Sequence, residues 1–320
     1  MNYYINNKLI PTVAIGTWAW GDGINGSQMI FGTKTDKALL SKVFEIAYHS
    51  NFIMWDTAPV YGMGTAESIL GDFIPNEHII LSTKYMPSRN YNPKSIDCSL
   101  EKSILHFKGH VPDIYWLHTP QNIERNIQYM CSLLKSGKIK SVGVSNCSLE
   151  QIETAEKIMN YNGYHLGGVQ NHYSLIYRIP ERTGIIKWCN TNRVPFFSYM
   201  VLEQGALTGV FNRKHGFPAF SRRAFAFPKS KLSKLEELHR KLKEIGHEYN
   251  LDIAQTAIVW GISKGTIPII GITKPIQADA LKNLTNVTLS EKNIYELEKI
   301  ALQTGIEVAG SWEKQGNKGC

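Results

Sequence analysis

The sequence lacks most of what would set a chain apart from ordinary globular enzymes. No apolar run approaches the ~18 residues of a membrane span, because Asn, Gly, Pro or a charge interrupts each one. The five cysteines (Cys98, Cys131, Cys147, Cys189 and Cys320) are odd in number and scattered, with no Cys-x-x-Cys. That excludes a disulfide framework and a cysteine metal centre, and it fits a cytoplasmic location. The first ten residues hold three Asn and no basic start before an apolar stretch, so they do not read as a signal peptide. Charge of one sign is also scarce outside one segment. Between Arg213 and Lys243 there are ten Lys or Arg against two acids, and the other 25 basic and 25 acidic residues cancel. The net charge of +8 is therefore local and does not amount to a general affinity for polyanions. Beyond Phe217, Phe220, Phe225 and Phe227 the segment has no interleaved aromatic platform, and it carries no known binding motif, so nucleic acid is not an expected partner.

What remains is a chain of 320 residues, 43% hydrophobic, long enough to bury one full core without staples. Tyr3-Tyr4-Ile5, Asn6-Asn7 and Leu9-Ile10 read as a hairpin. Eight short apolar segments follow as strand candidates: Val13–Gly16, Phe52–Asp56, Ile79–Lys84, Asp113–His118, Ser141–Ser145, Gly168–Asn171, Pro195–Tyr199 and Ile267–Gly271. Helical patterns separate them. One is expected to start at an N-cap Thr35, a second runs from Asn122 to Gly137, and a third starts after Ser148, whose Gln151 completes a capping box. Strict alternation of eight strands with about eight helices predicts an α/β fold. It is a (β/α)8 TIM barrel with an N-terminal β-hairpin, one domain over residues 1–320; a doubly wound sheet ranks second. A long insertion after the seventh barrel strand includes a helix expected over Lys231–Asn250.

Gly21-Asp22-Gly23-Ile24-Asn25-Gly26 matches Gly-x-Gly-x-x-Gly, but no helical stripe follows until Asp36, so it reads as a loop and not as a dinucleotide fingerprint. Three successive strands end in Asp56, Lys84 and His118, where parallel barrels place chemistry. Alternation puts these on the faces of Met54, Ser82 and Trp116, and Tyr61 follows Asp56 by five residues. The set suits proton donation to a carbonyl. Tyr61 gives the proton, Lys84 favours phenolate, Asp56 holds Lys84, and neutral His118 orients the oxygen. No side chain provides hydride, so a nicotinamide cofactor is required. His106 and His110 read as a solvated helix end, with no metal site expected. Glu67 and Asp72 fall on a helix and His172 reads as packing.

These residues resemble the aldo-keto reductases over essentially the whole chain. The matching segments are Gly16-Thr17-Trp18-Ala19-Trp20-Gly21, Asp56-Thr57-Ala58-Pro59-Val60-Tyr61-Gly62, Ser82-Thr83-Lys84, Leu117-His118-Thr119-Pro120, Val142-Gly143-Val144-Ser145-Asn146 and Gln170-Asn171-His172-Tyr173-Ser174-Leu175. The resemblance implies reduction of an aldehyde or ketone to an alcohol by NADP(H), with NAD(H) the other candidate and Asp56, Tyr61, Lys84 and His118 as catalytic tetrad. It implies Ser145, Asn146 and Gln170 around the nicotinamide carboxamide, and Tyr199 stacked on its ring. Thr17, Trp18, Leu202, Gln204, Gly271, Thr273 and Lys274 are implied as further cofactor contacts, with Lys274 at an adenosine 2′-phosphate. Trp18 would also wall the substrate pocket; Trp20, Met86 and Thr119 either line it or simply pack. Departures are Met200-Val201 where many members have Ser-Pro, Gln277 in place of an Arg, and Ala280-Leu281 in place of an acidic-Asn pair. Arg213, Lys214, Arg222 and Arg223 fall where the family's loop covers the cofactor pyrophosphate, whereas Lys231 to Lys243 are expected in water. Substrate choice is expected to depend on the loop from Met200 to Lys229 and on the tail from Gly305, where Trp312 either reaches the pocket or pins the tail. The alternative function is a cofactor-binding regulatory subunit of the potassium-channel β type, and a monomer or small homo-oligomer is expected.

Overall fold

The computed structural model describes residues 2–75, 78–284 and 286–308; Trp312 and the rest of the tail beyond residue 308 lie outside them. The chain opens with strands β1 (Tyr4–Ile5) and β2 (Lys8–Leu9), paired antiparallel. Asn6 and Asn7 between them both adopt left-handed φ, 49° and 63°, the geometry that matches hairpin twist and that Asn tolerates. Eight parallel strands then close a barrel: β3 (Ala14–Gly16), β4 (Met54–Asp56), β5 (Ile80–Tyr85), β6 (Ile114–Leu117), β7 (Val142–Ser145), β8 (Gly168–His172), β9 (Phe196–Tyr199) and β10 (Ile267–Gly271). Neighbours pair in chain order and β10 pairs with β3. Each expected strand is present, trimmed by a residue or two at several ends.

Alternation divides the strand residues between two cores. Ala14, Met54, Ile80, Ile114, Trp116, Phe197, Ile267 and Ile269 fill the barrel, and Ile5 and Ile10 of the hairpin join them. Val13, Ile15, Trp55, Leu81, Tyr115, Val142, Val144 and Val169 face outward into the layer shared with the helices. The hairpin is pinned at the barrel's amino end by Lys8, whose Nζ reaches Ile79 O at 2.5 Å and Asp113 Oδ1 at 3.2 Å. Trp116 is accommodated because its neighbours are Gly143 and Gly168. A Cβ at Gly143 would stand 2.2 Å from the indole, and one at Gly168 2.9 Å from it. The indole N–H then donates to Ser82 Oγ at 2.9 Å, which places the barrel's largest side chain directly beneath the strand ends.

Helices depart from expectation in three places. The first long helix, Lys37–His49, is capped by Asp36, whose Oδ1 accepts from Leu39 N, while Thr35 Oγ1 instead donates to Trp20 O. A helix over Ser27–Phe31 does follow Gly26 directly, too short to show a stripe. The single helix expected over Lys231–Asn250 is two, Lys229–Ser233 and Glu236–Glu248; Leu232, Leu235, Leu238, Leu242 and Ile245 are nonetheless all buried. The capping box of Ser148 and Gln151 is formed as expected.

Candidate active site

Asp56, Lys84 and His118 stand at the carboxyl ends of β4, β5 and just past β6, on the faces of Met54, Ser82 and Trp116. Lys84 is fully buried. Its Nζ donates to Asp56 Oδ2 at 2.5 Å and to Thr57 O at 2.7 Å. Asp56 Oδ1 accepts from Ser82 Oγ at 2.6 Å and from Gln170 Nε2 at 3.0 Å, so the Trp116–Ser82 contact fixes the carboxylate from below. Burial pulls the Lys84 ammonium below its ordinary pKa, and the Asp56 carboxylate opposes that. A paired buried charge of this kind is costly to break.

Tyr61 lies over this pair, its ring centroid 5.1 Å from Lys84 Nζ and 6.3 Å from the edge-on His118 ring. Gly62, Met63 and Gly64 follow in the left-handed region. The Gly21–Gly26 segment packs on this turn: a Cβ at Gly21 would stand 2.8 Å from Tyr61 O, and one at Gly62 2.4 Å from Asp22 O. Asp22 N also donates to Thr65 Oγ1 at 2.8 Å. Those glycines serve close backbone approach, and their segment buttresses the loop that carries Tyr61.

Burial pushes the Tyr61 hydroxyl well above its ordinary pKa, and the Asp56 carboxylate adds to the rise. The expectation that Lys84 lowers it is not met: burial and the Asp56 carboxylate outweigh the ammonium, which is paired with that carboxylate at contact distance. Tyr61 is therefore held protonated. His118 is held neutral: burial, and then the Lys84 charge, carry its imidazole well below the usual histidine range.

Next to this cluster, Ser145 Oγ donates to Gln170 O at 2.7 Å, and Asn146, left-handed at φ 60°, donates from Nδ2 to His118 O at 2.9 Å. Tyr199 is half-buried at the end of β9, and its hydroxyl donates to Asn146 Oδ1 at 2.5 Å. Thr17 is buried, with N and Oγ1 both directed to Asp56 O. Trp18 stacks on Tyr61 at 5.7 Å and meets Phe31 edge-on at 5.4 Å. Met86 is half-buried and receives the Thr119 hydroxyl at 3.8 Å on its sulfur.

Trp20 departs from the pocket-lining expectation. It is fully buried against Trp55 and Phe73, with Nε1 donating to Ile272 O at 2.7 Å. Two residues in a tight helix of about three per turn point it away from Trp18, into the outer core. At the end of β10, Thr273 N and Lys274 N donate to Gln277 Oε1 at 2.8 and 3.0 Å, and the Lys274 side chain is exposed.

The loop after β9 contains what sequence patterns do not single out. Arg223 is only 9% exposed. Its guanidinium lies 4.7 Å from the Phe217 ring centre, 4.9 Å from Phe211 and 5.7 Å from Phe31, and donates to Gln204 O at 3.2 Å. It has no carboxylate partner among the described residues, and burial pulls its pKa down to about 10. Arg223 Nε and Gln204 Oε1 are buried without a hydrogen-bond partner. Leu202 is half-buried against the core. Arg222 and Lys214 are exposed, and Arg213 pairs with Glu236 at 3.3 Å. His172, expected only to pack, binds buried Glu203 at 2.7 Å. His106 is not merely solvated either: it pairs at 2.9 Å with Glu67, which also accepts from Thr83 and Ser103. A buried His–Glu pair leaves no local signal in sequence, since its members come from different elements. Among the described residues no cluster of His, Cys, Asp or Glu could hold a metal, and no helix is long and apolar enough to cross a membrane.

Comparison with known proteins bears on the family and the fold. The family model described as Aldo/keto reductase family matches residues 12–302. Aldo-keto reductase YhdN of Bacillus subtilis (strain 168) is 27% identical over 317 residues, covering 91% of this chain and 90% of its own. Aldo-keto reductase yakc [NADP(+)] of Schizosaccharomyces pombe is also 27% identical over 317 residues, covering 91% of each. Among solved structures, the glycerol dehydrogenase AKR11B4 from Gluconobacter oxydans superposes with a TM-score of 0.79 at 22% identity, over 97% of this chain and 98% of that one, a likeness of fold.

Proposed function

We propose that this chain, which belongs to the aldo/keto reductase family, is an NAD(P)H-dependent oxidoreductase that reduces an aldehyde or ketone to an alcohol. The observation that carries the reading is geometric: the Tyr61 and His118 rings stand together over a buried Lys–Asp pair, and burial favours the protonated phenol and the neutral imidazole. A carbonyl oxygen received by both accepts two hydrogen bonds, and negative charge developing on it meets the Lys84 ammonium below. Tyr61 then gives its proton to that oxygen. A high pKa in the resting site does not oppose this, because an alkoxide is far more basic than a phenolate and the acid must stay protonated until charge appears.

When bound, the nicotinamide supplies the hydride that no side chain can. The residues fit a dinucleotide on two observations. Ser145, Asn146 and Gln170 gather at one rim beside Tyr199, where they would hold a carboxamide. Arg223 Nε is a buried cation's donor left without an acceptor, where a phosphate oxygen would serve. The relative named for NADP(+) supports the phosphorylated cofactor. Against a strong preference stands Gln277, which already accepts from the Thr273 and Lys274 amides; exposed Lys274 remains as the cation for a 2′-phosphate. Trp18 would wall the substrate pocket, with Met86 and Thr119 as further candidates for its lining. The buried, hydrogen-bonded Lys84–Asp56 pair beneath the Tyr61 and His118 rings supports catalysis over a purely regulatory, cofactor-binding role.

The test is oxidation of NADPH and of NADH against a panel of aldehydes, ketones and quinones. Turnover of at least one carbonyl is the expected result. Tight cofactor binding with no turnover across the panel would favour the regulatory role.

A further inference from the structure

The loop after β9 buries a carboxylate that the reduction chemistry leaves unused. Glu203 is fully buried, and among the described residues it meets the His172 ring, with Nε2 2.7 Å from Oε1. Ser174 Oγ donates to the same oxygen at 2.5 Å, while Oε2 is buried with no hydrogen-bond partner. A polar group is expensive to bury unless it is hydrogen-bonded, so the contacts of this one show what it fixes.

They join three segments. His172 ends β8, Ser174 lies in the turn just beyond it, and Glu203 belongs to the loop after β9. That loop is unusual in its backbone: Met200, Glu203, Gln204 and Gly205 have φ of 61°, 47°, 56° and 106°. Side-chain-bearing residues hold the left-handed region only where their surroundings over-determine it. The two hydrogen bonds to Glu203 Oε1, together with Glu203 N donating to Met200 O at 2.8 Å, are that determination.

The His172 ring is in turn the middle of a pillar. Tyr177 stacks on it at 3.9 Å and 5°, and Tyr199 at 5.6 Å and 21°. Glu203 thus fixes the His172 ring by its edge, the ring carries Tyr199, and Tyr199 reaches Asn146 through its hydroxyl. The residues flanking Glu203 are the two implied as cofactor contacts, Leu202 and Gln204, and Gln204 O holds Arg223.

We propose that Glu203 and His172 are a positioning pair for the nicotinamide end of the cofactor. By fixing the His172 ring and the left-handed loop, they set the tilt of Tyr199 against Asn146, and through it the affinity for the nicotinamide. This rests on the reading above, in which the nicotinamide stacks on Tyr199. Neither residue takes part in proton or hydride transfer.

The test compares two ligands by titration calorimetry: NADPH, and 2′,5′-ADP, which carries the adenosine end and no nicotinamide. Glu203→Leu should weaken NADPH about tenfold, the scale of one lost hydrogen bond, with 2′,5′-ADP unchanged. Glu203→Gln keeps the acceptor for His172 and Ser174 and should recover most of the lost NADPH affinity. His172→Phe keeps a ring in the pillar but removes the bond, and it serves if Glu203→Leu does not fold; the same selective loss of NADPH is expected. Equal weakening of both ligands, no weakening of NADPH, or a Glu203→Gln variant as weak as Glu203→Leu would each overturn the proposal. Tyr199→Ala separates the two readings. If it leaves NADPH binding intact, the stacking reading itself fails. If it weakens NADPH while Glu203→Leu and His172→Phe do not, stacking stands and only the positioning pair falls.

Discussion

The strand-end cluster and the loop after β9 both bury charge, in opposite ways. At the strand ends, Lys84 and Asp56 meet at 2.5 Å, each with further hydrogen bonds, on adjacent regular strands. In the loop, Arg223 is desolvated among Phe31, Phe211 and Phe217 with one carbonyl as acceptor and no carboxylate among the described residues. A matched pair supplies a fixed field that does not change when ligands come and go. An unmatched cation is raised in energy by burial and gains when an anion arrives. The first arrangement suits catalysis and the second suits capture of a phosphate.

Replacing one member of the matched pair should give the largest effect. Lys84→Met leaves the Asp56 carboxylate buried without its cation, which costs about 3–5 kcal/mol of stability and should also abolish measurable turnover. Denaturant melts and NADPH oxidation read the two losses; a variant as stable as the parent would mean the pair is not matched as described. Replacing the unmatched cation should do the reverse. Arg223→Leu keeps apolar bulk among the phenylalanines and removes a charge that nothing pairs, so stability should hold while NADPH affinity falls by roughly one to two orders of magnitude, the worth of a charge-assisted contact. The loss should shrink as salt rises. Unchanged affinity would return the loop's charge to a structural role.

A smaller effect sharpens the description of the cluster itself. His118 is held neutral with a pKa well below that of an unfolded histidine, about 6.5. Below that value the unfolded chain binds a proton that the folded chain refuses, so this group's contribution is present above pH ~6.5 and is lost as pH falls beneath it. Urea melts at pH 7.5 and 5.5 should show a loss of stability that is reduced in His118→Asn. An equal loss in both would assign the pH dependence to other groups.

The contrast between the two regions also explains what is legible in the sequence. Period-two alternation is enforced by the pleat, so the pattern alone pairs Asp56 with Met54, Lys84 with Ser82 and His118 with Trp116 and brings the three to one rim. The bond from Gln170 to Asp56 spans 114 positions and depends on barrel closure, which no local pattern encodes. In the loop, left-handed residues at 200, 203 and 204 abolish periodicity, so nothing in Leu202-Glu203-Gln204 shows which side chain turns inward. Arg222 and Arg223 are alike in sequence, yet in the short helix Arg222–Ala226 one is exposed and the other buried. Trp20 escapes the pattern for a related reason: a tight turn at Trp18–Trp20 separates residues that a strand would have set on one face.

The most direct test of the account concerns Tyr61 alone. Tyr61→Phe removes one oxygen and keeps the ring between Trp18 and His118. NADPH affinity should be nearly unchanged, while carbonyl reduction falls by at least about a hundredfold, the contribution of a positioned general acid. Turnover at the parent rate in that variant would contradict the assignment of Tyr61 as proton donor, and with it the proposed chemistry of the site.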